Sequence, residues 1–239
     1  MKTIRTSILA SMALIMISLA SCQKNNKSNT PLIASGSSQL SFQMQAVASA
    51  VDSTTGKDST QGITGLTWTT GKANVGKFSF VAKRTGVSIS IFSNNLTNVD
   101  LFALTPLQTY VTLDTGTYKS IVITAYLEKT DTIAPLKLTG TFATDSAKTV
   151  PIEFDLTDNA IVQVKTKDID INGTTDYTAL LDLQLNKVTK GISATDLNKA
   201  KQTNGSIIIS SKSNALLYYK MRANIALCGW YQFRWHNKR

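Results

Sequence analysis

Leu113-Asp114-Thr115-Gly116-Thr117-Tyr118 is the stretch on which the fold turns. Asp-x-Gly-x-Tyr is the spelling of a tyrosine corner. The glycine lets the chain turn tightly into a strand, and the tyrosine hydroxyl reaches back to the preceding backbone. Such a corner belongs to a sheet-on-sheet architecture, and the flanking sequence agrees with one. Upstream, Leu40-Ser41-Phe42-Gln43-Met44-Gln45-Ala46-Val47 alternates apolar and polar for four cycles, the period of a half-buried strand. Phe78–Ala82 and Val87–Ile91 follow, split by Thr85-Gly86. Further short runs cover 99–104, 110–113, 118–127, 136–142, 150–156, 160–164, 169–171, 181–188 and 206–210. Their spacing, with Gly, Asn, Asp or Pro between them, predicts an all-β Greek-key sandwich over 39–210. Two short helices are expected near the C-terminus. One follows Ser193, with Asp196 placed for a capping box. The other follows Ser213 and runs to about Leu227, with Leu217, Met221 and Ile225 on one face and Gly229 as its stop.

Composition fits this reading. The chain has 239 residues, of which 32 are Thr and 23 Ser, while charged residues make up only 17%. Thr is a strand former, and a hydrophobic share of 42% suffices for a core. With one His and two Cys, no multi-His or multi-Cys metal site can be built, and a Ser-His-Asp triad would have to use His236. The formal charge of +10 is uneven. Residues 22–196 balance, whereas from Leu197 onward there are eight bases and no acid. Residues 211–239 are expected to form a C-terminal helix and a basic, aromatic tail containing Trp230-Tyr231-Gln232-Phe233-Arg234-Trp235. Such a tail could suit nucleic acid, but an exported protein seldom meets it. No nucleic-acid partner is expected.

The first 22 residues give an address. Met1–Arg5 is a basic n-region, and residues 8–20 are an uncharged, mostly apolar run too short to span a bilayer, so residues 1–21 read as a signal peptide. The run ends in Leu19-Ala20-Ser21-Cys22, which resembles the bacterial lipobox. The resemblance implies acylation of Cys22 and attachment to a membrane, since two or more acyl chains anchor stably. Gln23, where an inner-membrane lipoprotein would carry Asp, implies the outer membrane. Residues 22–38 read as a flexible tether. Its lysines and its lack of acids predict a domain facing the periplasm rather than the cell surface. With Cys22 acylated, Cys228 has no partner for an intramolecular disulfide.

Candidate chemistry is sparse. Asp168-x-Asp170-x-Asn172-Gly173-x-x-Asp176 matches part of a calcium loop, but Ala179 stands where the bidentate Glu should be, and Ile169 and Ile171 alternate as in a strand. A strand leading into an Asn-Gly turn accounts for these residues, and no metal or cofactor is expected. The two glutamates, Glu128 and Glu153, lie in strand-like runs. Asp52-Ser53-Thr54, Asp58-Ser59-Thr60, Asp131-Thr132-Ile133 and Asp145-Ser146-Ala147 resemble the O-glycosylation tripeptide of Bacteroidetes exported proteins.

Gly65–Gly71 leading into 74–83, Val99-Asp100-Leu101-Phe102, the Gly116-Thr117-Tyr118 corner, 172–180 and Ile207–Ser210 followed by Asn214 together resemble Bacteroidetes lipoproteins with one β-rich domain. The resemblance implies a transthyretin-like or immunoglobulin-like sandwich and carries over no catalytic residue. The basic, aromatic close from Leu227 departs from it, as a divergent or frameshifted terminus would. The expected function is a lipid-anchored, non-enzymatic binding or scaffolding module of the cell envelope, with a glycan or an envelope protein as partner. An envelope hydrolase using Asp carboxylates is the alternative. Trp68, Tyr110 or Tyr177 in a row on one open face would favour a glycan, and a cleft of aspartates an enzyme.

Overall fold

A computed structural model describes residues 36–47 and 62–237, and within them the chain is a β-sandwich with three short helices towards the C-terminus. Cys22, the signal segment, most of the tether, and the Asp52 and Asp58 tripeptides lie outside the described residues.

The smaller sheet is four-stranded. Its centre is β1 (Ser37–Val47), antiparallel to β5 (Gln108–Asp114) and parallel to β11 (Thr175–Gln184). The last strand, β14 (Gly229–Asn237), lies antiparallel on the far side of β11. The larger sheet is organised by β2 (Leu66–Arg84). Its first half pairs with β7 (Leu136–Ala143) and β4 (Leu96–Asp100), its second half with β6 (Gly116–Leu127) and β3 (Val87–Phe92). Strand β8 (Thr149–Leu156) continues from β7 to β13 (Ser206–Ile209) and β12 (Gln202–Thr203). Strands β9 (Ala160–Lys165) and β10 (Ile169–Ile171) both pair with β6.

The predicted alternation along β1 is what joins the sheets. Leu40, Phe42 and Met44 are fully buried, and the Phe42 ring stacks on Phe78 of β2 at 5.2 Å between centroids. The corner performs the crossing. Asp114 ends β5 in one sheet and Gly116, at φ +140°, starts β6 in the other. The Tyr118 hydroxyl donates to the Asp114 carbonyl at 2.9 Å, and Arg84 closes the joint with a 3.0 Å ion pair to the Asp114 carboxylate.

Several expected boundaries need correction. The domain does not end at residue 210, because α3 (Ala215–Ile225) packs Leu217, Tyr218, Met221 and Ile225 into the core and β14 completes the small sheet. Residues 229–237 are therefore not a loose tail. Tyr231, Phe233 and Trp235 alternate with Gln232, Arg234 and His236 at the strand period, and the first two pack on the core. The tether reading also ran too far, since β1 begins at Ser37. The run 181–188 is two elements, the end of β11 and a single helical turn, α1 (Leu185–Val188).

The helix signals hold better. Ser193 caps α2 (Ala194–Asn198) with a full capping box to Asp196, while α3 starts one residue later than expected, after Asn214. Gly229 is not a helix stop but the first residue of β14. A Cβ there would fall 2.6 Å from Val162 Cγ1 and 2.9 Å from Val164 Cγ1, so its bareness lets β14 approach β9. Cys228 is wholly buried, and burial pushes its thiol up to about 12.

Candidate functional site

The aromatic row expected on one face does not form. Tyr177 turns inward and donates its hydroxyl to the Asp170 carbonyl at 2.8 Å. Trp68 is half-buried on the other sheet, lining a cavity of about 200 Å³ with Phe102 and Leu185. Tyr110 alone of the three stands on an open face, 60% exposed on the outside of the small sheet.

That outer face carries two hydrogen-bonded sets of polar groups. Register places Gln43 and Gln45 of β1, Asp182 of β11 and Gln232 of β14 on it, with Gln108 and Tyr110 towards the β5 edge and Trp230 at the β14 edge. Leu180 and Asp182 on the same face are only 1% and 2% exposed. The Asp182 carboxylate accepts from Gln45 Nε2 at 2.7 Å and from Gln232 Nε2 at 3.0 Å. Arg234 Nη2 donates in turn to Gln232 Oε1 at 3.4 Å, and Gln43 Nε2 donates to Gln108 Oε1 at 2.9 Å.

This arrangement orients the amides. An ionised carboxylate only accepts, so both flanking glutamines turn their nitrogens towards Asp182 and their oxygens away. The face therefore offers oriented amide carbonyls around a hydrogen-bonded carboxylate, bordered by two aromatic planes. On strand spacings, Tyr110 and Trp230 lie about 20 Å apart, diagonally across four strands.

Burial raises the Asp182 carboxyl above its ordinary 3.8, although the Gln45 and Gln232 donors and the charge of Arg234 oppose the rise. The folded state then holds its proton to a higher pH than the unfolded chain. Stability from this group falls as pH rises from 3.8 to the raised folded value, and the loss is complete above it. Asp182→Asn removes that dependence. Urea melts across this pH range should show the wild type losing ground to the variant as pH rises; parallel curves would mean that Asp182 is not strained by burial.

The other sequence candidates are dispersed. Asp170 accepts from the Thr117 hydroxyl at 2.6 Å, Asp168 from Ser120 N at 3.2 Å and Asp176 from Gln39 N at 2.8 Å. Asn172 Oδ1 caps the turn, accepting from Thr174 N and Thr175 N. These residues form a strand and a turn, as the alternation predicted. Glu153 pairs with Lys137 at 2.8 Å, and His236 Nε2 lies 3.1 Å from the Thr178 hydroxyl. The Asp131 and Asp145 tripeptides occupy exposed connections on either side of β7. Among the described residues, no three His, Cys, Asp or Glu side chains gather as metal ligands, and no helix is long and apolar enough to cross a membrane.

Sequence reasoning named Tyr110 but missed Asp182, Gln232 and Trp230 as members of one face. The period-two alternation after Gly229 was the available signal for β14. The partnership of Gln45 with Asp182 joins residues 137 positions apart and had no local signature. Comparison with protein-family models, with curated proteins and with solved structures gives no match.

Proposed function

We propose that the chain is a lipid-anchored, non-enzymatic glycan-binding module, held by an acylated Cys22 in the outer membrane and facing the periplasm. The observation that carries the binding reading is the Asp182 carboxylate clamped between Gln45 and Gln232 on the outer side of the small sheet, with Tyr110 and Trp230 exposed at its borders. Sugar hydroxyls donate to outward amide oxygens, and the apolar faces of sugar rings stack on aromatic planes. Rigid, pre-oriented groups bind without paying much ordering entropy. The charge of Asp182 disfavours acidic sugars, so the substrate class is a neutral, hydroxyl-rich oligosaccharide.

Calorimetric titration with a series of neutral oligosaccharides tests this. Trp230→Ala and Tyr110→Ala should each weaken the best binder about tenfold, equivalent to about 1.4 kcal/mol, with little change in melting temperature. Unchanged affinity in both variants would reject the face. The anchor is tested separately: cells fed labelled palmitate should mark the wild type and not Cys22→Ala.

A further inference from the structure

The outer face of the larger sheet carries a different chemistry. Strand register sets Lys83 of β2 directly opposite Lys119 of β6. Lys165 of β9 lies opposite Val122, which in turn lies opposite Val81. Two rows further, beyond Ser79 and Thr124, Lys77 Nζ sits between two rings, 4.9 Å from the centre of Phe92 and 4.8 Å from that of Tyr126. The ion pairs among the described residues are Arg84–Asp114, Lys137–Glu153 and Arg222–Asp158, so no carboxylate among the described residues pairs with any of these four lysines within 4 Å. Between them project Val81, Phe92 and Ile161, 39%, 53% and 43% exposed.

Like charges directly opposite on adjacent strands destabilise a sheet. The Lys83–Lys119 pair therefore costs stability in the isolated protein, and a polyanion would relieve it. Apolar side chains exposed among unpaired cations match the boundary of a bilayer with anionic lipid, where phosphates meet the lysines and acyl chains meet the apolar groups. The entry of the chain is compatible. Strand β1 starts at Ser37, whose register partner Asp114 is paired with Arg84, the neighbour of Lys83. The 14 residues between Cys22 and Ser37 span at most about 50 Å when extended, enough to let this face lie on the membrane holding the anchor.

We infer that the outer face of the larger sheet, built from Lys77, Val81, Lys83, Phe92, Lys119 and Lys165, docks on the anionic lipid surface to which the chain is tethered. Docking through this sheet leaves the outer face of the smaller sheet directed away from the bilayer and open to glycan. The inference rests on the membrane-anchor part of the proposed function and is independent of the glycan reading.

The test uses the full chain carrying Val81→Cys. With Cys228 wholly buried and its thiol pushed up to about 12, an environment-sensitive fluorophore enters at position 81 once Cys22 is acylated. The labelled protein is reconstituted into phosphatidylcholine vesicles, with or without about a third of phosphatidylglycerol. The expected result is a blue shift, with quenching by brominated acyl chains, in the anionic vesicles only. Lys83→Gln and Lys119→Gln should each lower the docking equilibrium constant about fivefold while leaving the melting temperature equal or higher, because they remove a repulsion. Aqueous emission in both vesicle types overturns the inference. A response to soluble dextran sulfate equal to that in vesicles also overturns it, since the face would then bind anionic polymer and not a bilayer. Flotation reads the anchor separately. A chain that fails to float with pure phosphatidylcholine contradicts acylation, and the emission on added anionic vesicles still decides the face.

Discussion

Phe42→Ala is expected to lower the free energy of unfolding by about 3–5 kcal/mol. Phe42 is wholly buried and nearly parallel to Phe78, with 8° between the rings, at the point where the two sheets meet. Truncation loses the transferred apolar surface and leaves a cavity beside the Phe78 ring, and both add to the cost. Set against the 5–15 kcal/mol typical of domains, that loss is a large share of the total. Gln43→Ala, one residue along and on the opposite face, removes a single hydrogen bond to Gln108 and should cost about 1 kcal/mol or less. Urea denaturation of the two variants measures the contrast directly; equal losses would contradict the assignment of inner and outer faces on β1.

Gly229→Val should cost about 1–3 kcal/mol by overpacking, and its consequence should be local. The new side chain would meet Val162 and Val164, both buried on β9, while β14 is held among the described strands through β11. The strain is relieved by lifting β14 and not by opening the core. Amide exchange in residues 230–236 should accelerate more than in β11, and oligosaccharide binding should weaken because Gln232 and Trp230 leave the face. Unchanged exchange across β14 would show that the strand does not depend on this close approach.

The tyrosine corner was legible because its residues act within five positions of one another: Gly116 makes the turn and Tyr118 reaches back to Asp114. The Ser193–Asp196 capping box was legible for the same reason. The strands of the two-faced region were legible through alternation, and Leu40, Phe42 and Met44 point inward as the pattern required. Strand β11 was only partly found. Every residue of its last eight is buried between the flanking strands β1 and β14, so no alternation marks it. Strand β14 was obscured because its aromatics, with Arg234 and the bases after it, read as a basic, aromatic tail, although a base on an edge strand is ordinary protection against edge-to-edge pairing. The binding face was least legible of all. Gln43 and Gln45 read only as outward polar positions of a strand, and their meaning comes from Asp182 and Gln232, which long-range pairing brings beside them.

The glycan-binding account is tested most directly by the side-chain carboxamide resonances of glutamine in a ¹⁵N-labelled, lipidated sample. These NH₂ groups report at the proposed point of contact, and Gln45 and Gln232 have theirs fixed on Asp182. Titration with the best-binding neutral oligosaccharide should move the resonances of Gln43, Gln45, Gln108 and Gln232 together, along with the indole N–H of Trp230, on a single saturation curve. Resonances of Gln163, on the outer face of the other sheet, should stay in place. Saturable binding that moves Gln163 and leaves the four others unperturbed would contradict the account.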